Sequence, residues 1–524
     1  MPILSARRRA AVLATVCLAV FAINLDTTII NVALPSMTRQ LGATTRDLQW
    51  VVDAYNLAFA ALVLAAGSLG DRFGRRPALL TGLVGFALAS GLGAACSSAS
   101  ALIAVRFVMG AFAALIFPTT LSILTNAYPE RSERTKAIGI WGAVTGLGVA
   151  VGPVTGGLLL EHFWWGSVFL ALVPVALIAA FFAAIVVPES RVANAPRLDL
   201  PGLVTASAFV GVLVYTIIEA PGRGWAAPWT LAGFAAAAIA GALFVVVERR
   251  AAHPMLDVSL FRTPAFSAAS ASVTVAFFAL FGFIFVVTQY FQFVRGYGPL
   301  STGARILPVA MSIAVGSVLG ARLVRSFGTR RVVVSGLLLL GIAFAWIAAS
   351  ATHQAYIWIV AQMVIMGTGL GLTTTPATES ILSVLPPAKA GVGSAVNDAT
   401  RETGGTLGVA VIGSIFSSLY LHGLSQGAVA HLPAHLYEAA RSSVGAAVEI
   451  VQHAPAANAP ALLDGVVSAF MSGMRAGCLV AAGICALGAV GALALPGRRP
   501  AQAVEPPAVL VPKAGQPEVA GVVN

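Results

Sequence analysis

Charged side chains are scarce in this 524-residue sequence. Asp, Glu, Lys and Arg together make up 10% of it, against about 25% in an ordinary soluble domain. With 58% hydrophobic residues and a mean hydropathy of +0.89, that scarcity excludes a soluble globular fold and leaves an all-α integral membrane protein. Cysteine is also sparse. Cys17, Cys96, Cys478 and Cys485 all fall inside apolar runs, where they read as small packing residues, so neither a disulfide framework nor a redox motif is expected. The seven histidines include four in 420–466 (His422, His431, His435, His453). His431 and His435 could share a helix face, but no third ligand stands at a useful spacing, and no metal site is expected. No GxxxxGK[ST] loop for a nucleotide is present, and no nucleophile stands with a histidine partner, so neither ATP-driven export nor an enzyme is expected. The net charge of +11 is scattered between apolar runs without interleaved aromatics, which argues against nucleic acid.

What is present is apolar length. Spans need about 20 apolar residues each, and runs occur at 9–33, 47–70, 77–97, 101–124, 136–160, 163–187, 200–220, 228–247, 266–294, 302–325, 331–351, 355–377, 395–419 and 467–495. Arg7, Arg8 and Arg9 followed by the first run mimic a signal peptide, but that run is long enough to span and lacks a small-x-small cleavage site. Most of the 31 lysines and arginines fall in the segments that alternate with one side, among them Arg72, Arg75, Arg76, Arg131, Arg134, Lys136, Arg249, Arg250, Arg330 and Arg331. The positive-inside rule therefore puts both termini in the cytoplasm.

The chain repeats itself. LGVAV at 147–151 recurs at 407–411, Phe73-Gly74 with its arginines recurs as Phe327-Gly328 with Arg330 and Arg331, and Pro118 has a counterpart in Pro376. The order and spacing imply two six-span halves, 1–190 and 262–495, separated by an additional pair of spans in 191–261. Parallel halves with a site near the midplane are a transporter design. The stretch 420–466 reads as a long outer loop, and 496–524, rich in Pro, Ala and Val, as a disordered tail.

Four motifs carry chemistry. GSLGDRFGRRPALL at 67–80 combines Gly67, Gly70, Asp71, Arg72, Gly74, Arg75 and Arg76. Its glycines permit a sharp turn and close helix approach, and its arginines hold the loop inside. It resembles the signature loop of the major facilitator superfamily. RFVMG at 106–110 is similar to that superfamily's span-4 arginine motif, and GVAVGPVTGG at 148–157 is similar to its antiporter motif, with Gly148, Gly152, Pro153, Gly156 and Gly157. LDTTIINVALP at 25–35 is similar to the span-1 motif of its fourteen-span drug:proton antiporter branch, the EmrB/QacA type. The resemblance runs from about residue 9 to 495. It implies fourteen spans, two six-helix halves plus two additional helices, working by alternating access on small molecules. The driving force implied is the proton gradient rather than a cofactor, and the working unit a monomer in the cell membrane.

Spacing adds its own reading. Gly148, Gly152 and Gly156 lie on one helix face, either simply packing or forming a slip plane between helices. In the second half Gly404 and Gly408 persist but Ile412 takes the third place, and Arg325 stands near the position of Asp71, so the halves are expected to differ mechanically. A carboxylate in hydrocarbon costs about 2.5–3.5 kcal/mol on insertion scales. Counted inward at 1.5 Å per residue, Asp26, Asp53 and Arg106 lie roughly 8–10 Å below the outer surface, which suggests one shared polar cavity. Asp26 is then either a structural partner of Arg106, a proton- or cation-binding group, or a solvated acid. Asp53 resembles the additional acid of exporters of lipophilic cations, with Trp50, Tyr55 and Phe59 nearby to stack on a cation. The alternative for Asp53 is an interfacial acid in an aromatic belt. Asp398, Arg401 and Glu402 form a second cluster on the inner side, where Arg401 and Glu402 either make a salt bridge or belong to an inward-facing site. Glu161, Glu219 and Glu379 are read as solvated. An importer and a non-transporting receptor on the same fold stay open.

Overall fold

The computed structural model describes residues 5–191, 199–252, 254–384 and 390–497; the tail beyond residue 497 lies outside the described residues. The chain runs through α1 (Ala6–Leu41), α2 (Thr45–Phe73), α3 (Arg75–Ala94), α4 (Ala99–Ala127), α5 (Arg131–His162), α6 (Ser167–Leu170) and α7 (Leu172–Val186). Two helices follow, α8 (Leu200–Arg223) and α9 (Pro228–Arg250). Then come α10 (Pro264–Gln289), α11 (Pro299–Phe327), α12 (Thr329–Ala349), α13 (Tyr356–Ser383), α14 (Ala390–Gln426), the short α15 (Ala434–Ser442) and α16 (Val444–His453), and α17 (Ala459–Gly491). Among the described residues, 13 helical segments are long and apolar enough to cross a membrane, α6 and α7 counting as one; α2, bent by 55° between Val63 and Ala65, makes a fourteenth.

Helix ends follow local chemistry. The Thr44 hydroxyl accepts from the Asp47 amide and the Asp47 carboxylate accepts from Thr44, a capping box that starts α2. The Ser98 hydroxyl accepts from the Ala101 amide at the start of α4, and the Asp199 carboxylate from the Gly202 amide at the start of α8. Gly74 and Gly328, at φ 111° and 81°, make the matching tight turns α2–α3 and α11–α12, conformations that a side chain resists.

Three boundaries differ from the apolar runs. Helix α1 continues through Pro35 to Leu41; at about 54 Å it outruns a bilayer core of about 30 Å, so counting depth from the end of the run misplaces Asp26. Helix α14 continues to Gln426 and α17 begins at Ala459. The outer stretch between them is therefore shorter than 420–466 and largely helical. His431 ends a 3-10 turn while His435 belongs to α15, so the two do not share a helix. Apolar runs mark what sits in lipid, whereas the hydrogen-bond ladder continues wherever the backbone can pair.

The pairing of helices recurs: α1 packs on α5 as α10 packs on α14, α2 on α4 as α11 on α13, and α3 on α7 as α12 on α17. Gly148, Gly152 and Gly156 are where α5 meets α1: a Cβ there would press on Asn24, Thr28 and Ile29. Gly404 and Gly408 of α14 do the same against the Thr274 and Phe278 carbonyls of α10. The third position is reversed. Ile29 fills the gap at Gly156 in the first half, while in the second Ile412 fills the gap at Gly282. The apparently degenerate glycine pattern thus keeps its interlock, with the small residue moved to the partner helix. Gly157 has a different neighbour, the Pro299–Leu300 backbone of α11, and Gly303 of α11 sits on the Pro153 carbonyl.

The polar contacts among the described residues that cross between α1–α7 and α10–α17 lie at the end opposite the Asp71 loop. Gln49 donates to the Val409 and Ala410 carbonyls, each at 3.3 Å, and Gln292 donates to the Val32 carbonyl at 3.0 Å. Helix α16 lies over the same end, with Gly445 against Thr38 and Phe293. Overpacking such a contact costs about 1–3 kcal/mol. Gly152→Val is therefore expected to lower the thermal unfolding midpoint in detergent. Gly142→Val, on the same helix with open space at its Cβ position, is expected to leave it within error; equal losses would show that helix propensity rather than the α1 contact governs the effect.

Candidate transport site

Asp26 of α1 and Arg106 of α4 meet in the interior of the first half, Nη1 to Oδ2 at 2.6 Å, with side-chain exposures of 0% and 1%. Arg106 also donates from Nε to the Val51 carbonyl at 2.9 Å, and its guanidinium lies 4.3 Å from the centre of the Tyr55 ring. One arginine thus ties α1, α2 and α4 together. Gly110, one turn along α4, makes the approach possible, since a Cβ there would strike the Tyr55 carbonyl and Ala58; that is what the glycine of RFVMG does. The second Asp26 oxygen, Oδ1, is buried without a hydrogen-bond partner.

Asp53 does not join this pair. Residues 51 and 55 face Arg106, and position 53 is turned about half a revolution from both. It shares its flank of α2 with Gln49, which bonds to α14. Asp53 is fully buried, and neither carboxylate oxygen has a hydrogen-bond partner. The single shared cavity expected from depth is therefore corrected to two sites on opposite flanks of α2, an ion pair inside the first half and a lone carboxyl toward the seam between halves. The aromatics are otherwise engaged: Trp50, one turn before Asp53, pairs with Tyr215 of α8, centroids 6.0 Å apart, and Tyr55 is engaged by Arg106. Tyr55 also begins a ladder through Phe59, Phe117 and Trp141, with successive centroids 6.4, 5.8 and 5.1 Å apart, running toward the Asp71 end.

On α14, Arg401 pairs with Asp398 at 3.8 Å and stacks 4.5 Å from the Phe277 ring. Of the two readings for Arg401 and Glu402, the salt bridge between them is absent among the described residues, because adjacent helix positions do not face each other. Glu402 instead keeps Oε2 buried and unpartnered. Glu219 is not solvated either: it is paired with Arg46 and Arg223, each at 3.3 Å. Glu161 and Glu379 are exposed.

In the 67–80 loop, Asp71 accepts from Arg75 Nε at 2.8 Å, and Arg75 reaches the Ser122 carbonyl of α4 at 3.4 Å. Arg76 donates to the Ala184 carbonyl of α7. Gly67 and Gly70 lie against Pro118 and Thr119 of α4, and Gly74 against Glu189. Arg72 is exposed and stacks on Phe73. The motif is a clamp joining the α2–α3 turn to α4 and to the chain after α7. Gln49, Gln292 and Gly110 were not singled out by sequence reasoning. The signal for Gln49 was its place one turn before Asp53 on the same helix flank.

All-helical among the described residues, with repeated halves and a charged interior, the protein has the build of a transporter. The comparisons agree: residues 16–409 match the model of the Major Facilitator Superfamily, and the chain belongs to that family. It is 35% identical to the multidrug efflux pump LfrA of Mycolicibacterium smegmatis, covering 90% of this chain and 93% of that protein. It is 34% identical to the tetracenomycin C resistance and export protein of Streptomyces glaucescens, over 92% and 90%, and 33% identical to the methyl viologen resistance protein SmvA of Salmonella typhimurium, over 85% and 90%. Among solved structures it is similar in fold to a bacterial homologue of the human lysosomal transporter Spinster in an inward-facing, unoccupied conformation, with TM-score 0.65, 18% identity, and 94% and 98% of the two chains covered.

Removing one partner of a buried ion pair costs about 3–5 kcal/mol, because the other charge is left stranded. Arg106→Gln is expected to lower the unfolding midpoint in detergent sharply, and Asp26→Asn combined with it to recover much of the loss. A double variant as unstable as Arg106→Gln alone would show that the pair is not the source.

Proposed function

We propose that this chain exports lipophilic small molecules, cationic ones among them, across the cell membrane in exchange for protons. Drug efflux is supported by the relatives, whose names record multidrug efflux, antibiotic export and methyl viologen resistance at about 35% identity over most of the chain. The observation that carries the coupling is Asp53, a fully buried carboxyl with no bonded oxygen on the flank of α2 that faces α14. A lone carboxylate in such surroundings costs several kcal/mol. A proton or a lipophilic cation removes that cost, and the two are then competitors for one place, which is the requirement of antiport.

Asp26 takes a linked role. Its bond to Arg106 holds α1, α2 and α4 in one arrangement, and protonating Asp26 weakens that bond, so proton occupancy is tied to helix position. Glu402 of α14 offers a second carboxyl on the inner side, and the Asp398–Arg401 pair holds α14 against Phe277. Beyond Tyr55, the Phe59, Phe117 and Trp141 rings of the ladder supply aromatic faces for planar or quaternary cations. The distribution of lysines and arginines supports cytoplasmic termini and a cytoplasmic Asp71 loop, which makes the closed end the outer one. The proton gradient drives the cycle without a cofactor, and one chain contains both halves, so a monomer suffices.

The test is ethidium efflux from proteoliposomes under an imposed pH gradient. Wild type is expected to expel the dye, with accumulation pointing to import and binding without flux to a receptor. Asp26→Asn is expected to abolish gradient-driven efflux while the protein stays folded. Asp53→Ala is expected to impair methyl viologen, a dication, far more than a neutral substrate. Equal losses for both would remove Asp53 from cation recognition.

A further inference from the structure

The closed end of the second half carries two arginines without an acid. Arg295 follows the last turn of α10, and Arg305 lies in the second turn of α11. Both guanidinium groups approach one ring, that of Tyr297, at 5.6 and 4.1 Å from its centre. Arg305 also lies 5.4 Å from the Tyr356 ring, whose hydroxyl donates to the Arg305 carbonyl at 3.1 Å. Arg295 is fixed by the Gln354 carbonyl at 2.9 Å and the Tyr297 hydroxyl at 3.1 Å. Arg305 donates to Ser301, and its Nε is buried with no acceptor. Among the described residues no carboxylate pairs with either arginine.

Two like charges directed at one half-buried ring repel each other, and an anion placed between them removes the repulsion. Guanidinium forks suit phosphate oxygens in geometry and charge. The surroundings choose among anions. Next to Tyr356 on α13, Ile357 is 66% exposed, so an apolar, lipid-facing surface begins one residue from the cluster; Trp358, half a turn away, is directed to Trp346 of α12 instead. A soluble anion gains nothing from that surface, whereas a lipid fills both parts at once. We propose that Arg295, Arg305, Tyr297 and Tyr356 form a binding site for the phosphate of an acidic phospholipid, with an acyl chain lying along Ile357. The site stands apart from Asp26 and Asp53, and an occupant there spans the α10–α11 connection and the start of α13.

The test uses the full chain, purified in detergent and given equal amounts of phosphatidylglycerol and phosphatidylcholine, with bound lipid counted by native mass spectrometry. Wild type is expected to retain phosphatidylglycerol in preference by about tenfold or more, the scale of two arginines at an anionic surface. Arg305→Gln is expected to cut that preference several-fold and Arg295→Gln with Arg305→Gln to abolish it. Arg295→Lys with Arg305→Lys, which keeps the charge and serves if the neutral pair fails to fold, is expected to retain part of it. Equal retention of both lipids by wild type, or an unchanged preference in Arg305→Gln, overturns the proposal. Full displacement of the lipid by millimolar inorganic phosphate also overturns it, assigning the site to a free anion.

Discussion

The cost of charge in hydrocarbon is the constraint on which the first half depends. Arg106 and Asp26 are each too expensive to bury alone, and together they are tolerable only in one geometry, with a backbone carbonyl and a tyrosine face taking up the remaining guanidinium surface. That geometry fixes three helices at once. A buried ion pair adds little net stability over an apolar substitute, but it defines one arrangement and penalises others. Here one oxygen of the aspartate is still unmatched.

Against this polar centre the packing is close. Glycine-mediated contacts bring α5 onto α1, α14 onto α10, and α5 onto α11 across the seam. Close-packed contacts of this kind tolerate a small number of discrete arrangements rather than continuous deformation. Within each half these contacts hold the helices as one packed unit. At the closed end, α16 arises from the second half yet rests on Thr38 of the first, so opening that end means lifting a surface helix as well as parting Gln49 from α14.

The spans, their number and the repeat were legible because apolar length and motif order survive in the linear sequence. Depth made a pairing of Asp26 with Arg106 one of three readings, although the length of α1 shows that the estimate was reached from a mistaken helix end. Depth alone misjudged Asp53, since a residue two positions from Val51 and Tyr55 lies at the same level but on the other flank of the helix. Trp50 lies on Asp53's side of α2, and only the tertiary fold shows that Tyr215 of α8 takes up its ring. Arg401 and Glu402, adjacent in sequence, looked like a pair and are turned apart by helix geometry. Gln49 and Gln292 escaped notice because an amide that bonds to a distant carbonyl leaves no periodic or charge signature; its partner is defined only by the tertiary fold.

The exchange of Gly156 and Ile29 in one half for Ile412 and Gly282 in the other bears on how such a chain changes over generations. A duplicated pair begins with matching residues on matching helices, and reversing small and large at one layer takes two replacements, each harmful without the other. Once reversed, the helix cannot be traded for its counterpart in the other half without carrying its neighbour along. The unit of inheritance at this layer is the helix pair, and drift at position 412 is bound to drift at position 282 although 130 residues of chain separate them.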